Sequence, residues 1–375
     1  MTSKHFDYLI IGAGIAGTSV AMRLAEFGSV AVLERETQPG YHATGRSAAT
    51  FEPSYGPAKV RPMIVASEEF LSNPPEGFCE VPLLKPRGAL TVFKAGEEAD
   101  RDELIDIFAS IVTDFEVLNF AASQARVPIL DPEYTQSAIY TDAVMDLDVD
   151  ALLQGYIRIL KARGGTLVAN AEVMEISRGN DWTVDTPAGK FSGTVLVNAS
   201  GAWADVIGEM AGAKPVGLQP CRRSALLAKM PKQYDVSSWP LTAGYDPLFY
   251  FKPNAGVIMI SPQDQTPSDP CDAWPEDMDI ALAVHAFENV TTLKDIRPEH
   301  TWAGLRSFVS DEGMVAGYDG DVDGFFWLCG QGGFGIETSP TMSLIASELV
   351  RGKDFPQRIA DFGLSANDLS PARLL

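Results

Sequence analysis

Residues 7–35 read DYLIIGAGIAGTSVAMRLAEFGSVAVLER. The apolar run 8–11 is short enough for a buried parallel strand, and Gly12, Gly14 and Gly17 follow it with the spacing G-x-G-x-x-G. Positions 15–27 continue with helical periodicity, and Val30–Leu33 form a second apolar run closed by Glu34. Strand, glycine turn, helix, strand and acid, in register, make a βαβ unit suited to a dinucleotide. Gly12 permits the tight turn, Gly14 lets backbone approach a pyrophosphate, and Gly17 lets helix and strand pack closely. The helix start offers unpaired N–H groups and a positive dipole end to phosphate. Glu34 lies 34 − 12 = 22 positions after the first glycine, where a carboxylate accepts ribose hydroxyls.

Three later segments favour FAD over NAD as that dinucleotide. The loop ETQPGYHATGRSAAT, residues 36–50, is rich in glycine and small polar residues where a NAD-type fold would pass directly into helix and strand. It suits a chain running beneath a pyrophosphate and a flavin, with Arg46 and Ser47 as available donors. Residues 194–212, TVLVNASGAWADVIGEMAG, give an apolar strand, a small-residue turn at Ala199, Ser200 and Gly201, and a helix. Residues 325–352, FFWLCGQGGFGIETSPTMSLIASELVRG, give a strand, a turn containing Gly330, Gly332, Gly333 and Gly335, and a closing helix. Those glycines permit close backbone approach, and the helix start can stabilise negative charge on a reduced flavin.

The 375-residue chain is long enough for one large or two intimately joined domains. Its 29 basic and 50 acidic side chains leave a formal charge of −21, which disfavours nucleic acid and anionic membranes as partners. No stretch approaches the ~20 apolar residues of a membrane span. The opening MTSKHFDYLI runs straight into the first strand, so no signal peptide is expected. Cys79, Cys221, Cys271 and Cys329 are scattered without C-x-x-C, and His5, His42, His285 and His300 are equally dispersed. Neither a disulfide framework nor a metal site is expected, and the composition reads as a reduced, cytoplasmic protein.

Beyond these elements, the strings YHATGRSAA, NPPEGFCEVPLL, GLQPCRRSA, FYFKP, RPEHTWAGLRSF and GFFWLCGQGGFGI carry a resemblance over nearly the whole chain. It is to the glycine-oxidase-like, D-amino-acid dehydrogenase branch of FAD-dependent amine oxidoreductases, with particular likeness to bacterial D-arginine dehydrogenases. The resemblance implies an α/β fold in which a Rossmann-like FAD-binding domain is interleaved with an α+β substrate domain built on a twisted antiparallel sheet. The expected division is 1–86, 145–221 and 303–375 for the flavin, and 87–144 and 222–302 for the substrate. Strand-like alternation at Ala89–Phe93, 222–228, 248–252 and Val257–Ser261 agrees with that sheet, and two amphipathic stretches at 97–113 and 280–292 read as flanking helices. Residues 261–279, SPQDQTPSDPCDAWPEDMD, read as a surface loop, with an active-site lid as the alternative.

The resemblance also implies a site. Noncovalent FAD is expected on Gly12, Gly14, Ile15, Ala16, Gly17, Glu34 and Arg35, and on Thr44, Gly45, Arg46, Ser47, Ala48 and Ala49. Val173, Ala199, Ser200, Gly201, Trp203, Arg306, Gly332, Gly333, Phe334, Gly335 and Ile336 complete that set. Cys329 leaves covalent attachment a small alternative. A substrate carboxylate calls for a planar charged fork, which arginine supplies bidentately. By resemblance Arg223 and Arg306 clamp it, Tyr250 adds a hydrogen bond, and Tyr55 closes over the substrate. Strand alternation lets only one of Arg222 and Arg223 face a pocket, and the resemblance selects Arg223. The implied chemistry is hydride transfer from the substrate Cα to flavin N5, giving an imino acid that hydrolyses to a 2-oxo acid and ammonia. The expected partners are a small amino-acid substrate and an electron acceptor: a quinone, another carrier or O2.

The chain departs from that pattern at the side-chain pocket. Relatives favouring cationic D-amino acids carry a glutamate at the position of Ala89 and a threonine at that of Glu52, and a histidine after GRSAA is here Thr50. Either Glu52 takes over recognition of a cation, or it faces solvent and the pocket prefers apolar substrates. A sarcosine- or glycine-type amine oxidase and a non-catalytic flavin-binding regulator are the alternatives, and the two arginines with Tyr250 weigh against the second.

Overall fold

The computed structural model describes residues 4–112, 114–245 and 249–374. Among them the chain builds two large sheets that face each other across a cavity. The first has a parallel core in the order Thr166–Val168, Val30–Leu33, Lys4–Ile11, Gly189–Asn198, Phe325–Cys329. Ile11 stands beside both Leu33 and Asn198, and Asn198 beside Trp327. The carboxyl ends are therefore level, and the Gly12 turn, Glu34, the Ala199 turn and the glycine turn after Cys329 all emerge on one side. That crevice is where open α/β sheets bind ligands.

The runs that read as buried strands are buried on both faces. Ile10 and Val32 pack toward Val20, Leu24, Tyr156 and Ile345 of the helices Ile15–Leu24, Val149–Ala162 and Ser339–Val350, while Leu9, Ala31 and Leu33 join Trp182 and Trp327 on the other face. The first helix ends at Leu24, short of the expected position 27. The close helix–strand packing assigned to Gly17 is literal: a Cβ there would lie 1.9 Å from the Gly12 carbonyl oxygen.

The second sheet runs Pro298–Phe308, Gln219–Ala228, Val257–Ser261, Tyr250–Asn254, Leu241–Gly244, Ala89–Phe93, Ser137–Thr141, Phe115–Asn119. It is antiparallel except that Leu241–Gly244 pairs parallel with Ala89–Phe93. The strand expected at 248–252 starts at Tyr250, and Leu248 lies outside the described residues. The helices expected at 97–113 and 280–292 are Glu98–Ile111 and Asp277–Val290, with Thr113 also outside the described residues. The second begins early because Glu276 and Asp279 form a reciprocal cap at its start. Its Ala283 and Phe287 cover the sheet face bearing Leu226, Phe251 and Ile260. The opposite face is left to the cavity.

Gly17→Ala should test the helix–strand junction. A methyl driven into the Gly12 carbonyl overpacks the site, and a destabilisation on the order of 1–3 kcal/mol is expected. A thermal melt with an unchanged midpoint would show that the junction yields at no cost.

Candidate functional site

A cavity of about 610 Å³ runs between the sheets, from Glu34 and Val173 at one end to Arg223 and Ala89 at the other. The Gly12 turn walls the first end. Gly12 has φ +98°, and a Cβ on it would lie 2.5 Å from the Ala199 oxygen, so the two turns close the floor against each other. The turn is shaped by side chains. Glu34 is buried and accepts hydrogen bonds from Ala13 N–H (2.7 Å, Oε2) and Glu36 N–H (2.9 Å, Oε1), while Thr44 Oγ1 accepts from Ile15 N–H (3.0 Å). This corrects the expectation that the first N–H groups all stand unpaired. Each Glu34 oxygen accepts one of these bonds and keeps further acceptor capacity, and Glu34 lines the cavity. Arg35 lies over the Trp203 ring with 4.8 Å to its centroid and makes a flat wall beside them.

Ile15, Ala16, Ser47, Ala48, Ala49, Ser200, Gly201, Gly332, Gly333, Gly335 and Ile336 also line the cavity, together with Gly14 and Thr50. Four expected cofactor residues stand differently. Gly17 lies behind the turn. Gly45 closes a turn of its own, donating to the Gly40 carbonyl at 2.7 Å. The Phe334 ring packs on Tyr55, 5.2 Å between centroids, beside a smaller adjoining cavity. Arg46 borders the large cavity, but its guanidinium is engaged by the Ala273 and Ala303 carbonyls (2.8 and 3.0 Å) and by Asp272, which removes it as a phosphate donor. The segment 261–279 is largely exposed, as a surface loop should be, but the same contacts hold part of it against the site, and Gln263, Cys271 and Ala273 line the cavity.

The other end is set by strand register. Cys221 pairs with Arg306, so Arg223, two residues on, points to the same face and lies diagonally across from Arg306. Arg222 points the other way and pairs with Asp279 (3.0 Å) and Glu276 (2.7 Å). Arg306 Nη2 donates to Tyr55 Oη at 3.2 Å, and Gly333 sits so close that a Cβ would lie 2.2 Å from that guanidinium. Burial, and then the facing Arg306 charge, push Arg223 below its ordinary value. Burial opposes the Arg306 charge too, but Tyr55, Tyr250 and Glu337 outweigh it and hold that guanidinium above its ordinary value. Neither arginine has a carboxylate partner among the described residues. Burial raises Tyr250, which shares their end of the cavity, and the two arginine charges oppose that rise.

Glu52 also lines this end, which removes the solvent-facing alternative. The small sheet registers Phe51 beside Met145 and Met145 beside Pro86, so Glu52 and Ala89 flank one corner of the cavity. Burial alone pushes the Glu52 carboxyl up to about 7, and no described residue donates to it or pairs with it. Its own N–H donates to Glu337 Oε2 at 2.9 Å. Glu337 is a cavity residue that the sequence reading missed, although it ends the same GGFGIE turn. Burial lifts its carboxyl well above the usual range.

The family model for FAD dependent oxidoreductases (DAO) matches residues 7–349. The chain belongs to that family. It is 23% identical to glycine oxidase of Geobacillus kaustophilus over 97% of both chains. It is 30% identical to hydrogen cyanide synthase subunit HcnC of Pseudomonas aeruginosa, a match spanning 47% of this chain and 41% of HcnC. The match to L-2-hydroxyglutarate dehydrogenase of Escherichia coli, at 24% identity, spans 51% of that protein. Among solved structures, L-proline dehydrogenase from P. horikoshii superposes with a TM-score of 0.84 at 20% identity, covering 99% of this chain and 98% of that one. Glycine oxidase from Geobacillus kaustophilus superposes at 0.83 and 20% identity over 96% and 98%. These likenesses carry the flavoprotein fold.

The family cofactor is FAD, and the residues present fit it: a floor that no side chain could enter, the buried carboxylate of Glu34 at the strand end, and glycine backbone beside Arg306. Cys329 is buried in the wall, and burial pushes its thiol far up, which disfavours the thiolate that attachment to a flavin needs. Acid precipitation of the holoprotein should therefore leave the yellow chromophore in the supernatant as FAD. Colour remaining in the pellet would overturn noncovalent binding.

Proposed function

We propose that this oxidoreductase deaminates D-amino acids and that Glu52 gives it a preference for cationic side chains. The observation that carries the reading is the pair of guanidiniums, Arg223 and Arg306, turned into one cavity with no described carboxylate in ion-pair contact with either. Two buried like charges are costly unless an anion joins them, and a substrate carboxylate is the anion that fits a planar fork. Tyr250 and Tyr55 supply hydroxyls beside it. FAD, when bound, accepts the hydride from the substrate Cα. The resulting imino acid hydrolyses in water to a 2-oxo acid and ammonia. The chain's task is orientation: the arginines fix the carboxylate, and the wall of Ala89, Thr91, Leu241 and Ala243 leaves room for a side chain. The substrate amine must be neutral to give up hydride, so turnover should rise with pH until that amine has lost its proton.

We further propose the division already expected, with 1–86, 145–221 and 303–375 holding the flavin, and a quinone, another carrier or O2 as the final electron acceptor. The similarity to glycine oxidase supports a second reading, a small-amine oxidase with the same clamp. Anaerobic mixing with D-arginine, D-methionine, glycine and sarcosine distinguishes the readings by which compound bleaches the flavin absorbance. No bleaching by any of them would leave the non-catalytic alternative.

Arg306→Met should retain FAD and lose roughly 2–3 kcal/mol of substrate binding, on the order of 100-fold. A near-normal half-saturation concentration would remove Arg306 from the site, and loss of flavin would make it structural. For Glu52, the charged form exists above a pKa of about 7. The ratio of D-arginine to D-methionine efficiency cancels the common α-amine titration, so it should rise with pH through about 7. Glu52→Gln should abolish that rise and cut D-arginine efficiency alone by roughly one to two orders of magnitude. An unchanged ratio would make Glu52 a bystander.

A further inference from the structure

Arg223 makes one side-chain hydrogen bond among the described residues: its Nε donates to the backbone carbonyl of Asp264. That carbonyl is itself fixed. The Asp264 carboxylate accepts from the Ser224 N–H at 2.6 Å and from the Ser224 hydroxyl at 2.9 Å, so Asp264 grips the residue next to Arg223 while its carbonyl holds the Arg223 side chain. The turn between them is tied on every side. Ser261 Oγ donates to the Ser224 carbonyl at 2.7 Å, Gln263 N–H donates to Ser261 Oγ at 3.2 Å, and Gln263 Nε2 donates to the Phe249 carbonyl at 2.9 Å. Gln263 has φ +55°, a left-handed conformation that a glutamine keeps only where its surroundings over-determine it. Tyr250 pairs directly with Ser261 in the neighbouring strand. One short turn thus touches the strand that carries Arg223 and the strand that carries Tyr250.

We propose that Asp264 is the positioning residue of the carboxylate clamp: its carbonyl aims the Arg223 guanidinium, and its carboxylate locks that carbonyl to the strand through Ser224. The proposal rests on the reading of Arg223 as a carboxylate ligand. A brace is needed on physical grounds. An arginine side chain is long and flexible, and Arg306 on the adjoining strand repels it, so an unbraced Arg223 would swing away from its neighbour. Holding it in place before substrate arrives removes that ordering cost from binding. The brace comes from a carbonyl, which satisfies the Nε–H without neutralising the guanidinium, and the full charge remains for the ligand.

The experiment is a double-mutant cycle in the holoenzyme. Asp264→Ala should raise KM for D-arginine and D-methionine alike by about tenfold, equivalent to about 1.4 kcal/mol. FAD content should be retained, and kcat should change by less than about twofold. In an Arg223→Met background the same substitution should add less than about twofold, because the group it positions is gone. Penalties that multiply would make Asp264 merely structural and overturn the proposal. An unchanged KM in Asp264→Ala beside an impaired Arg223→Met also overturns the brace and leaves the clamp intact. An unchanged KM in Arg223→Met overturns the clamp reading itself. Should Asp264→Ala fail to fold, Ser224→Ala removes the hydroxyl contacts to Asp264 and to Asp279 and leaves the Ser224 N–H bond to Asp264 in place. It should raise KM about threefold, the scale of one hydrogen bond, and again show no added effect beside Arg223→Met. A normal KM there, or multiplied penalties, counts against the proposal.

Discussion

Gln219–Ala228 and Pro298–Phe308 are joined residue for residue from Gln219 opposite Phe308 to Leu227 opposite His300, and this ribbon bridges the two sheets. Hydrogen bonding across it fixes the spacing of Arg223 and Arg306, since the diagonal between them is set by backbone and not by attraction between side chains. The same ribbon supplies the Ala303 carbonyl that holds Arg46, and its Ser307 carbonyl accepts from Gly332 N–H at 2.9 Å. Flavin loop, glycine turn and clamp are therefore registered to one ladder. A slip by one residue would turn every clamp residue to the opposite face, toward Asp279 and the core.

The glycine turn, the strand ends and Glu34 were legible because each is a local demand. A run of buried strand, a φ only glycine takes freely, and a carboxylate at the end of a second strand all lie within one stretch of chain. Strand alternation likewise separates Arg222 from Arg223, although the choice between them came from resemblance. What was not legible depends on residues distant in the chain. Arg46 reads as a phosphate donor until Asp272 and Ala273, more than two hundred positions away, take its guanidinium. Residues 261–279 read as a surface loop because proline and aspartate signal turns, and most of the arm is exposed; what was not legible is that Arg46 and Arg223 tie its Asp264, Asp272 and Ala273 to the cavity wall. Glu337 gave no periodic signal, and its importance comes from burial and from its neighbours Glu52 and Arg306.

Two partly buried ion pairs that share Asp146 show how the loop after Glu34 keeps an unfavourable shape. Ala49 has φ +59°, and its carbonyl accepts from Leu147 N–H at 3.0 Å and from Lys252 Nζ at 3.2 Å. Lys252 is itself buried and paired with Asp146 at 2.8 Å, and Asp146 also binds Arg87. Burial pushes Lys252 below its ordinary range, and Asp146 opposes that fall. Strain at a ligand-facing loop persists only when fixed from outside, and here the fixing charge comes from the second sheet, two residues from Tyr250.

The arginine end of the cavity thus carries groups of both signs. Arg223 and Arg306 occupy one wall, Glu52 and Glu337 stand nearby, and apolar residues of Ala89–Phe93 and Leu241–Gly244 lie between strand and solvent. In an enclosed space of low dielectric, such separated charges orient a ligand before it makes close contact. A molecule with a carboxylate at one end and a cation at the other has one favourable direction of entry, whereas a simple anion would satisfy the arginines and leave Glu52 without a partner. Removing the negative corner should therefore relax selectivity more than it weakens the hold on the carboxylate, since the clamp's register owes nothing to Glu52.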